Sequence, residues 1–425
     1  MEEWKEYKLS DLSDFIAGFA FKSADFGSTG FPVVKIKDIQ PPFVNVNGMD
    51  KVDLSPYNIN KLEKFLIFKE DFVMAMTGAT IGKIGRYINE EPAYLNQRVL
   101  KFIPKDQVDA KYIYYSLLTK RFRSYINNHI DSESAQPNIS ANTIGKYELK
   151  VPNIQMQRKI SCILKSLDDK IELNHRINEN LEQQAQALFK SWFVDFEPFK
   201  DGKFVESKLG RTPEELTISR IGNIPHIIES GKRPKGGAVL KGVPSIGAEN
   251  IKGLGYYDYS KTKYIPKDFA LKTNRGKING YELLIYKDGG KPGYFIPSYT
   301  IFGEGFPFDE MFINEHVFRL NLMSKEYNIF AYFYMQTPYI MNQLNSIGGK
   351  AAIPGINMKD VESLPIFTGD NKKIKEFGNL VLPMITTILR NCSENTRLAQ
   401  LRDTLLPRLV SGELTISDVR KKPLL

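Results

Sequence analysis

Two segments of the chain carry apolar residues at the alternating spacings of three and four that one narrow stripe of a helix requires. Polar residues replace them only near the middle of the first stripe. A stripe held over so many turns predicts a long helix that packs on a second helix as a coiled coil. The predicted seam positions of the first segment are Ile160, Leu164, Leu167, Ile171, Asn174, Asn178, Leu181, Ala185, Leu188 and Trp192.

The same pattern recurs 217 residues later, with an arginine at one position that is apolar in the first copy. Its positions are Phe377, Val381, Met384, Ile388, Asn391, Asn395, Leu398, Arg402, Leu405 and Leu409. Because the asparagines lie at the middle of both seams, antiparallel pairing would place Asn174 beside Asn395 and Asn178 beside Asn391. A buried polar layer fixes the register of two helices at some cost in stability. The alternative is that these asparagines face solvent at a local break in the seam.

The repeat extends into the segments that precede each helix. Residues 135–140 correspond to 352–357 at the same offset, and 94–99 resemble 312–317. Short aromatic and β-branched runs separated by Gly and Asn turns predict strands with a few helices in each segment. The fold class is therefore α+β, with two similar globular domains separated by two long helices that form an antiparallel coiled coil with pseudo-two-fold symmetry. The predicted boundaries are 1–152, 153–206, 207–368 and 369–425.

Length and composition limit the possible classes of protein. A chain of 425 residues exceeds the size of a single core. It contains no apolar stretch long enough to span a bilayer, and its opening residues lack the pattern of a secretion signal, so the expected compartment is the cytoplasm. The net charge of +9 permits a polyanionic partner. Neither Cys162 and Cys392 nor the four histidines have metal-ligand spacing, so we expect no metal and no cofactor.

The two helical segments resemble a known family. The run from Gln157 to Phe196, which contains Lys190-Ser191-Trp192-Phe193, is similar to the central helical region of type I restriction-modification specificity subunits. The run from Leu405 to Leu414 is similar to the C-terminal helical region of that family. The resemblance covers the whole chain in the order domain, helix, domain, helix.

This resemblance implies a DNA-reading subunit that is not itself an enzyme. It implies that two adenine-N6 methyltransferase (modification) subunits dock on the helices, that restriction subunits add translocation and cleavage, and that each domain is a target-recognition domain for one half of a bipartite, asymmetric site on double-stranded DNA. The repeat favours the same interpretation, because two similar units can approach a duplex in equivalent ways. A seam of 33 residues spans about 50 Å, or roughly 15 base pairs, so the helix pair is expected to set the half-site spacing.

Polar and basic residues on glycine-rich turns are the candidates for DNA contacts, because base edges are read by amides, hydroxyls and guanidinium groups while phosphates attract cations. In the first domain these candidates are Lys22, Lys35, Lys37, Thr77, Thr80, Lys83, Arg86, Asn96, Gln97, Arg98, Gln136 and Asn138. Lys22, Lys35, Lys37 and Arg86 are the expected phosphate ligands among them. In the second domain the candidates lie within 287–291, 314–316 and 348–350 and on a basic loop: Lys232, Arg233, Lys235, Lys241, Lys287, Lys291, Asn314, His316 and Lys350. For any single residue, a solvated surface position is the alternative.

Two other functions remain open at this point. Gln40-Pro41-Pro42-Phe43 approximates the [DNS]PP[YF] signature of adenine-N6 methyltransferases, and Phe302-Gly303-Glu304-Gly305 faintly resembles a cofactor loop, although the two lie in different repeats. The chain contains no GxxxxGK phosphate loop, which argues against an ATP-driven motor. A coiled-coil scaffold without DNA contact is the third possibility. The aromatic runs 112–115 and 330–334 have helical settings that favour core packing over base stacking.

Overall fold

The computed structural model describes residues 4–130, 137–291, 293–350 and 354–421. The chain divides into two compact units. Unit 1 comprises Met1–Asp169 and Leu398–Leu425, and unit 2 comprises Lys170–Arg397. Both divisions fall within long helices, so each unit contains part of each long helix as well as its own sheets.

Unit 1 is built on two mixed sheets and a short strand pair. Its strands are β1 (Lys5–Lys8), β2 (Ser13–Ala17), β3 (Phe26–Gly27), β4 (Phe31–Val34), β5 (Ile39–Gln40), β6 (Phe43–Val44), β7 (Asp50–Val52), β8 (Leu66–Ile67), β9 (Phe72–Ala75), β10 (Ile84–Arg86), β11 (Ala93–Leu95), β12 (Val99–Pro104) and β13 (Glu148–Val151). The strand orders are β2-β12-β9-β10-β6-β5, β3-β7-β4-β11-β8 and β1-β13.

Unit 1 also contains several short helices. They are α1 (Leu9–Leu12), α2 (Ile59–Leu62), α3 (Ala110–Leu117), α4 (Lys120–Asn128), α5 (Ala141–Gly145) and α12 (Ile416–Lys421). Asp109 caps α3 by accepting a hydrogen bond from the backbone N–H of Tyr112 at 2.8 Å. Tyr112, Tyr114 and Tyr115 are buried, and this burial raises the pKa of each phenol. The first aromatic run therefore belongs to the core, as its helical setting predicts.

Unit 2 repeats this arrangement with longer helices. Its strands are β14 (Phe204–Ser207), β15 (Gly210–Pro213), β16 (Ile218–Arg220), β17 (Ile227–Ser230), β18 (Val243–Ile246), β19 (Lys263–Ile265), β20 (Leu283–Tyr286), β21 (Gly290–Lys291), β22 (Tyr294–Phe295), β23 (Ser298–Ile301), β24 (Phe312–Ile313), β25 (Val317–Asn321) and β26 (Pro365–Phe367). Its short helices are α7 (Lys267–Lys272), α8 (Lys325–Tyr334), α9 (Pro338–Gly348) and α10 (Met358–Glu362). The sheet orders are β17-β25-β20-β23, β19-β18-β24, β16-β26, β14-β15 and β21-β22.

Strand pairing shows the repeat inside each unit. The antiparallel pair β1-β13 of unit 1 corresponds to β16-β26 of unit 2. The parallel pair β4-β11 corresponds to β18-β24. The two pairs have the same register, because Tyr94 pairs with Val33 as Phe312 pairs with Ser245. The predicted α+β class is confirmed, and the duplicated segments share their topology although few of their residues are identical.

The long helices are α6 (Ile154–Phe193) and α11 (Lys372–Val410), and they contact each other. Within unit 2, Asn174 Nδ2 donates to Asn395 Oδ1 at 2.8 Å, and Asn391 Nδ2 donates to Asn178 Oδ1 at 2.8 Å. Both are the pairs that the antiparallel register predicts. Asn174 also donates to Glu394 Oε2 at 2.7 Å, and its side chain is fully buried.

The arginine that interrupts the second seam has a partner within unit 1. Arg402 Nη1 donates to Asp168 Oδ1 at 2.8 Å, and the Tyr115 hydroxyl donates to the other carboxylate oxygen at 2.7 Å. Asp168 is only 1% exposed. A buried carboxylate needs both a counter-charge and hydrogen-bond donors, which explains why a cation occupies this seam position.

Replacing both Asn174 and Asn395 with leucine is expected to raise the free energy of unfolding by about 1 kcal/mol or more while loosening the helix register. The single substitution Asn174→Leu should instead destabilise the chain, because it leaves the buried Asn395 amide without its partner. Thermal unfolding measures the change in stability of both variants. Faster hydrogen exchange of the helix amides reports the looser register of the double variant. A double variant less stable than the parent chain would contradict the prediction.

Candidate nucleic-acid interface

Three segments of unit 1 that are distant in sequence meet at one backbone junction. The N–H of Met76 donates to the carbonyl of Arg98 at 3.0 Å, and the N–H of Ile139 donates to the carbonyl of Met76 at 3.1 Å. The N–H of Gly78 donates to the carbonyl of Pro137 at 3.1 Å. These bonds join the glycine-rich loop after β9, the turn between β11 and β12 and the segment before α5. The candidate clusters predicted from the sequence of this domain therefore lie together.

Unit 2 contains the same junction. The N–H of Lys287 donates to the carbonyl of His316 at 3.1 Å, and the N–H of Ile356 donates to the carbonyl of Lys287 at 2.9 Å. The N–H of Gly289 donates to the carbonyl of Pro354 at 3.2 Å. Each donor and acceptor corresponds by strand position to its counterpart in unit 1. The two copies thus present the same backbone platform, which we call the junction.

Next to each junction, a glycine allows a further loop to pack closely against the junction backbone. A side chain at Gly231 would place its Cβ 1.7 Å from the Ile313 carbonyl oxygen, and at Gly18 the Cβ would lie 2.2 Å from the Asn96 carbonyl oxygen. Only glycine allows the backbones to approach so closely. The N–H of Gly231 donates to the carbonyl of Asn314 at 3.1 Å, so the basic loop after β17 begins at the junction of unit 2.

Side chains around the junction of unit 1 are mostly uncharged and polar. Gln97, Asn138 and Lys83 are exposed. The hydroxyl oxygens of Thr77 and Thr80 are buried, and neither has a hydrogen-bond partner among the described residues. Asn96 is half-buried, while Lys22 and Arg98 are exposed, and Gln136 lies outside the described residues.

Two of the expected phosphate ligands of unit 1 are neutralised within the protein. Lys35 Nζ and Lys37 Nζ lie 3.0 and 3.2 Å from the same oxygen of Asp50. The hydrogen bond from Lys35, followed by the effect of Lys37, lowers the pKa of the Asp50 carboxyl group. Lys35 also lies 3.5 Å from the centroid of the Phe26 ring. Both cations are consequently less available to a phosphate than the isolated sequence suggests.

Arg86 requires a correction. The sequence predicts a surface contact to phosphate, but the side chain is only 4% exposed and lies on the central strand β10. Its Nη1 donates to both carboxylate oxygens of Glu70 at 3.1 Å. Because a buried guanidinium needs a carboxylate partner, Arg86 stabilises the interior of unit 1 and is removed from the proposed DNA surface.

Charged side chains surround the junction of unit 2. His316 Nδ1 lies 2.7 Å from Asp288 Oδ2, and His316 Nε2 lies 3.6 Å from Glu315 Oε1. Arg233 Nη1 lies 3.8 Å from the same Glu315 oxygen. Asp288 and Glu315 lie within the predicted segments 287–291 and 314–316, but they are acceptors, and the sequence pattern points to the donors in these segments. Their acidic character is the chemical difference between the two junctions.

The remaining candidates of unit 2 are mainly exposed cations. Lys287 is half-buried, with its Nζ 5.6 Å from the centroid of the Phe318 ring. Asn314 Oδ1 accepts a hydrogen bond from the backbone N–H of His316 at 2.9 Å, which shapes the turn. The exposed basic side chains are Lys232, Arg233, Lys235, Lys241, Lys291 and Lys350.

The motifs that suggested a methyltransferase form turns. Pro41 and Pro42 connect β5 to β6, and the Pro42 carbonyl accepts hydrogen bonds from the Tyr114 hydroxyl at 2.9 Å and the Arg86 backbone N–H at 3.0 Å. Gly303 and Phe306 exchange two backbone hydrogen bonds across a second turn. Within the described ranges, no group of three or more His, Cys, Asp or Glu side chains could hold a metal ion. Among the helices described, none is both long and apolar enough to cross a membrane.

Comparison with known proteins finds similarity to one class, the DNA-specificity subunits of restriction-modification systems. A family model described as the type I restriction modification DNA specificity domain matches residues 1–183. The MjaIX specificity subunit of Methanocaldococcus jannaschii is 26% identical over 98% of this chain and 95% of the relative. The HindI specificity subunit of Haemophilus influenzae is 25% identical over 97% of this chain and 100% of the relative. The EcoBI specificity subunit of Escherichia coli is 22% identical over 97% and 87% of the two chains.

A solved structure supports the same fold. The S subunit of a type I restriction-modification system from M. genitalium aligns with a TM-score of 0.59 over 96% of both chains at 16% identity. The family model over residues 1–183 and the full-length relatives confirm the resemblance to type I restriction-modification specificity subunits that is seen in the sequence. The relatives are named as specificity subunits, and the matching model describes a DNA specificity domain.

Proposed function

We propose that each unit reads one half of a bipartite, asymmetric DNA site and that the junction carries the base-reading side chains. The observation that supports this proposal is the pair of equivalent junctions with different side chains. Unit 1 offers Gln97 and Asn138, whereas unit 2 offers Glu315 and His316, on the same backbone hydrogen bonds. A constant platform with variable side chains suits a protein whose halves read different bases.

Exposed cations near each junction are proposed to bind phosphates. In unit 2, Lys232, Lys235 and Lys241 are exposed, and none of them forms an ion pair with another described residue. In unit 1, Lys22 and Lys83 are exposed. Such contacts give affinity and orientation without sequence information, so the junction and its flanking lysines have separate roles.

The long helices are proposed to dock two modification subunits and to set the half-site spacing. Each helix has the same seam with the same asparagine pair, so the scaffold offers equivalent docking surfaces to two identical partners. Restriction subunits would join this core to complete the enzyme. A helix of 40 residues has a length of about 60 Å.

Duplicating one heptad in both helices, residues 164–170 in α6 and 398–404 in α11, is expected to lengthen the spacer by about 3 base pairs. Both seams keep their phase, and the Asp168–Arg402 pair is duplicated with them. Sequencing of methylated adenines in cells that carry the variant and its modification subunits gives the spacer length. Duplication in one helix only is the control, and it should abolish methylation because the asparagine pairs lose register. An unchanged spacer in the double variant would contradict the proposal.

The function itself is tested by reconstitution. The purified chain should transfer no methyl group from S-adenosylmethionine, and adenine methylation at a bipartite sequence should appear only when modification subunits are added. Exchanging residues 207–368 for the matching segment of the Haemophilus influenzae relative should change one half-site and leave the other intact. Methylation by the chain alone would favour the methyltransferase alternative. Absence of salt-sensitive, sequence-dependent binding with all partners present would favour a scaffold without DNA contact.

A further inference from the structure

Glu315 occupies a fixed turn at the junction of unit 2. The turn is held by the bond from the His316 N–H to Asn314 Oδ1 and by the bond from the Asn314 N–H to the Ile246 carbonyl at 2.9 Å. The equivalent position in unit 1 is Gln97, in a turn where the Asn96 N–H donates to the Val34 carbonyl at 3.0 Å. The two units therefore differ at this position by an acid in place of its amide.

The carboxylate of Glu315 keeps its capacity to accept hydrogen bonds. Asp288 holds the His316 ring at 2.7 Å, whereas the ring nitrogen facing Glu315 lies at 3.6 Å. The Arg233 guanidinium lies at 3.8 Å from the same Glu315 oxygen. Both distances exceed that of a hydrogen bond, and the Glu315 side chain is 34% exposed. The neighbouring Arg233 guanidinium stabilises the charge without occupying the acceptor oxygens.

A carboxylate discriminates among base edges by charge. In the major groove, guanine presents only acceptors and thymine presents an acceptor beside its methyl group, so both repel a carboxylate. Adenine presents an amino donor next to the N7 acceptor, whereas cytosine presents its N4 amino group. An amide such as that of Gln97 matches adenine instead, because it accepts from N6 and donates to N7.

We propose that Glu315 accepts a hydrogen bond from the N4 amino group of a cytosine in the half-site read by unit 2. Gln97 at the equivalent position of unit 1 reads an adenine. This inference rests on the proposed function of the two units and assigns base chemistry to one position in each half-site. The acid and amide at one shared turn position then account for part of the asymmetry between the two half-sites.

The reciprocal variants Glu315→Gln and Gln97→Glu test this assignment in the complete complex with modification subunits. Sequencing of methylated adenines should show one position of the unit 2 half-site changing from cytosine to adenine in Glu315→Gln, with a preference change of about ten- to a hundredfold. Gln97→Glu should produce the opposite change in the other half-site. Each variant is the control for the other, because the half-site of the unaltered unit should not change.

The outcomes separate this proposal from the proposed function. Unchanged recognition in both variants would overturn the base assignment while leaving the two-unit function intact. Loss of methylation at every sequence, with an unchanged unfolding temperature, would also contradict it, because the variants are expected to gain a new preference. If Glu315→Gln does not fold, Gln97→Glu still tests the same chemistry. Failure of the parent complex to methylate any defined sequence would instead disprove the proposed function.

Discussion

Replacing Lys232, Lys235 and Lys241 with alanine is expected to weaken DNA binding by the assembled complex about 100-fold at about 0.15 M salt. The three side chains are exposed on the loop between β17 and β18, which begins at the junction of unit 2. Each lysine that neutralises a phosphate releases counterions from the duplex, so losing three should reduce the salt slope of the binding constant by about 3. The loss should be similar for all DNA sequences, because phosphates carry no sequence information.

Binding titrations at several salt concentrations measure both quantities. The matched control replaces Lys203, Lys208 and Arg211 with alanine, which removes the same charge from exposed positions on the separate β14-β15 hairpin. Its affinity and salt slope should remain close to those of the parent complex. If the two triple variants lose the same affinity, the basic loop has no specific contact with DNA and acts only through net charge.

The substitution Asp168→Ala is expected to lower the free energy of unfolding by about 3–5 kcal/mol. It removes the carboxylate that pairs with Arg402 and accepts from Tyr115, and it leaves a largely buried guanidinium without that counter-charge. Arg402 is 15% exposed at its side chain, so water compensates for little of this loss. Replacing Asp168 and Arg402 together with leucine should recover most of the stability, because two apolar side chains restore the seam.

Denaturant unfolding of the parent, single and double variants forms the double-mutant cycle that isolates this pair. Lys165→Ala is the control, since its ion pair with Asp169 is an i, i+4 contact with a half-exposed aspartate and should contribute about 0.5 kcal/mol or less. A loss below about 1 kcal/mol in Asp168→Ala would show that Asp403, which already accepts from Nε and Nη2 of Arg402 at 2.9 and 2.8 Å, compensates for the lost carboxylate, or that the guanidinium becomes hydrated. The interpretation of Arg402 as a seam residue tied to its partner would then be wrong.

The long helices were predictable because their information is local and periodic. Spacings of three and four identify a helix stripe without knowledge of its partner, and the 217-residue offset indicates which stripe pairs with which. The asparagine pairs follow from the same register, and the structure places Asn174 and Asn395 at 2.8 Å. Arg402 interrupts the apolar pattern of the second seam, and the sequence does not indicate its partner, because Asp168 lies on the first helix outside the periodic seam positions.

Residues on strands and turns were less predictable, because their exposure depends on strand pairing. Arg86 follows a glycine and resembles a surface cation in the sequence, yet β10 pairs with β9 and β6 and its guanidinium faces Glu70. Lys35 and Lys37 are near candidate loops, but Asp50 on a neighbouring strand binds both. No pattern within a few residues of these positions contains that information.

The sequence by itself determined the duplication, the α+β class, the two helices with their antiparallel register and the resemblance to a family, since each depends on periodicity or on residues close together in the chain. The tertiary structure alone decided which polar residues meet at the junctions, because backbone hydrogen bonds such as those of Met76 and Lys287 join segments far apart in sequence. It also decided which cations are neutralised by internal carboxylates. Long-range pairing of strands fixes both, and such pairing is set by the packing of the whole unit and not by local pattern.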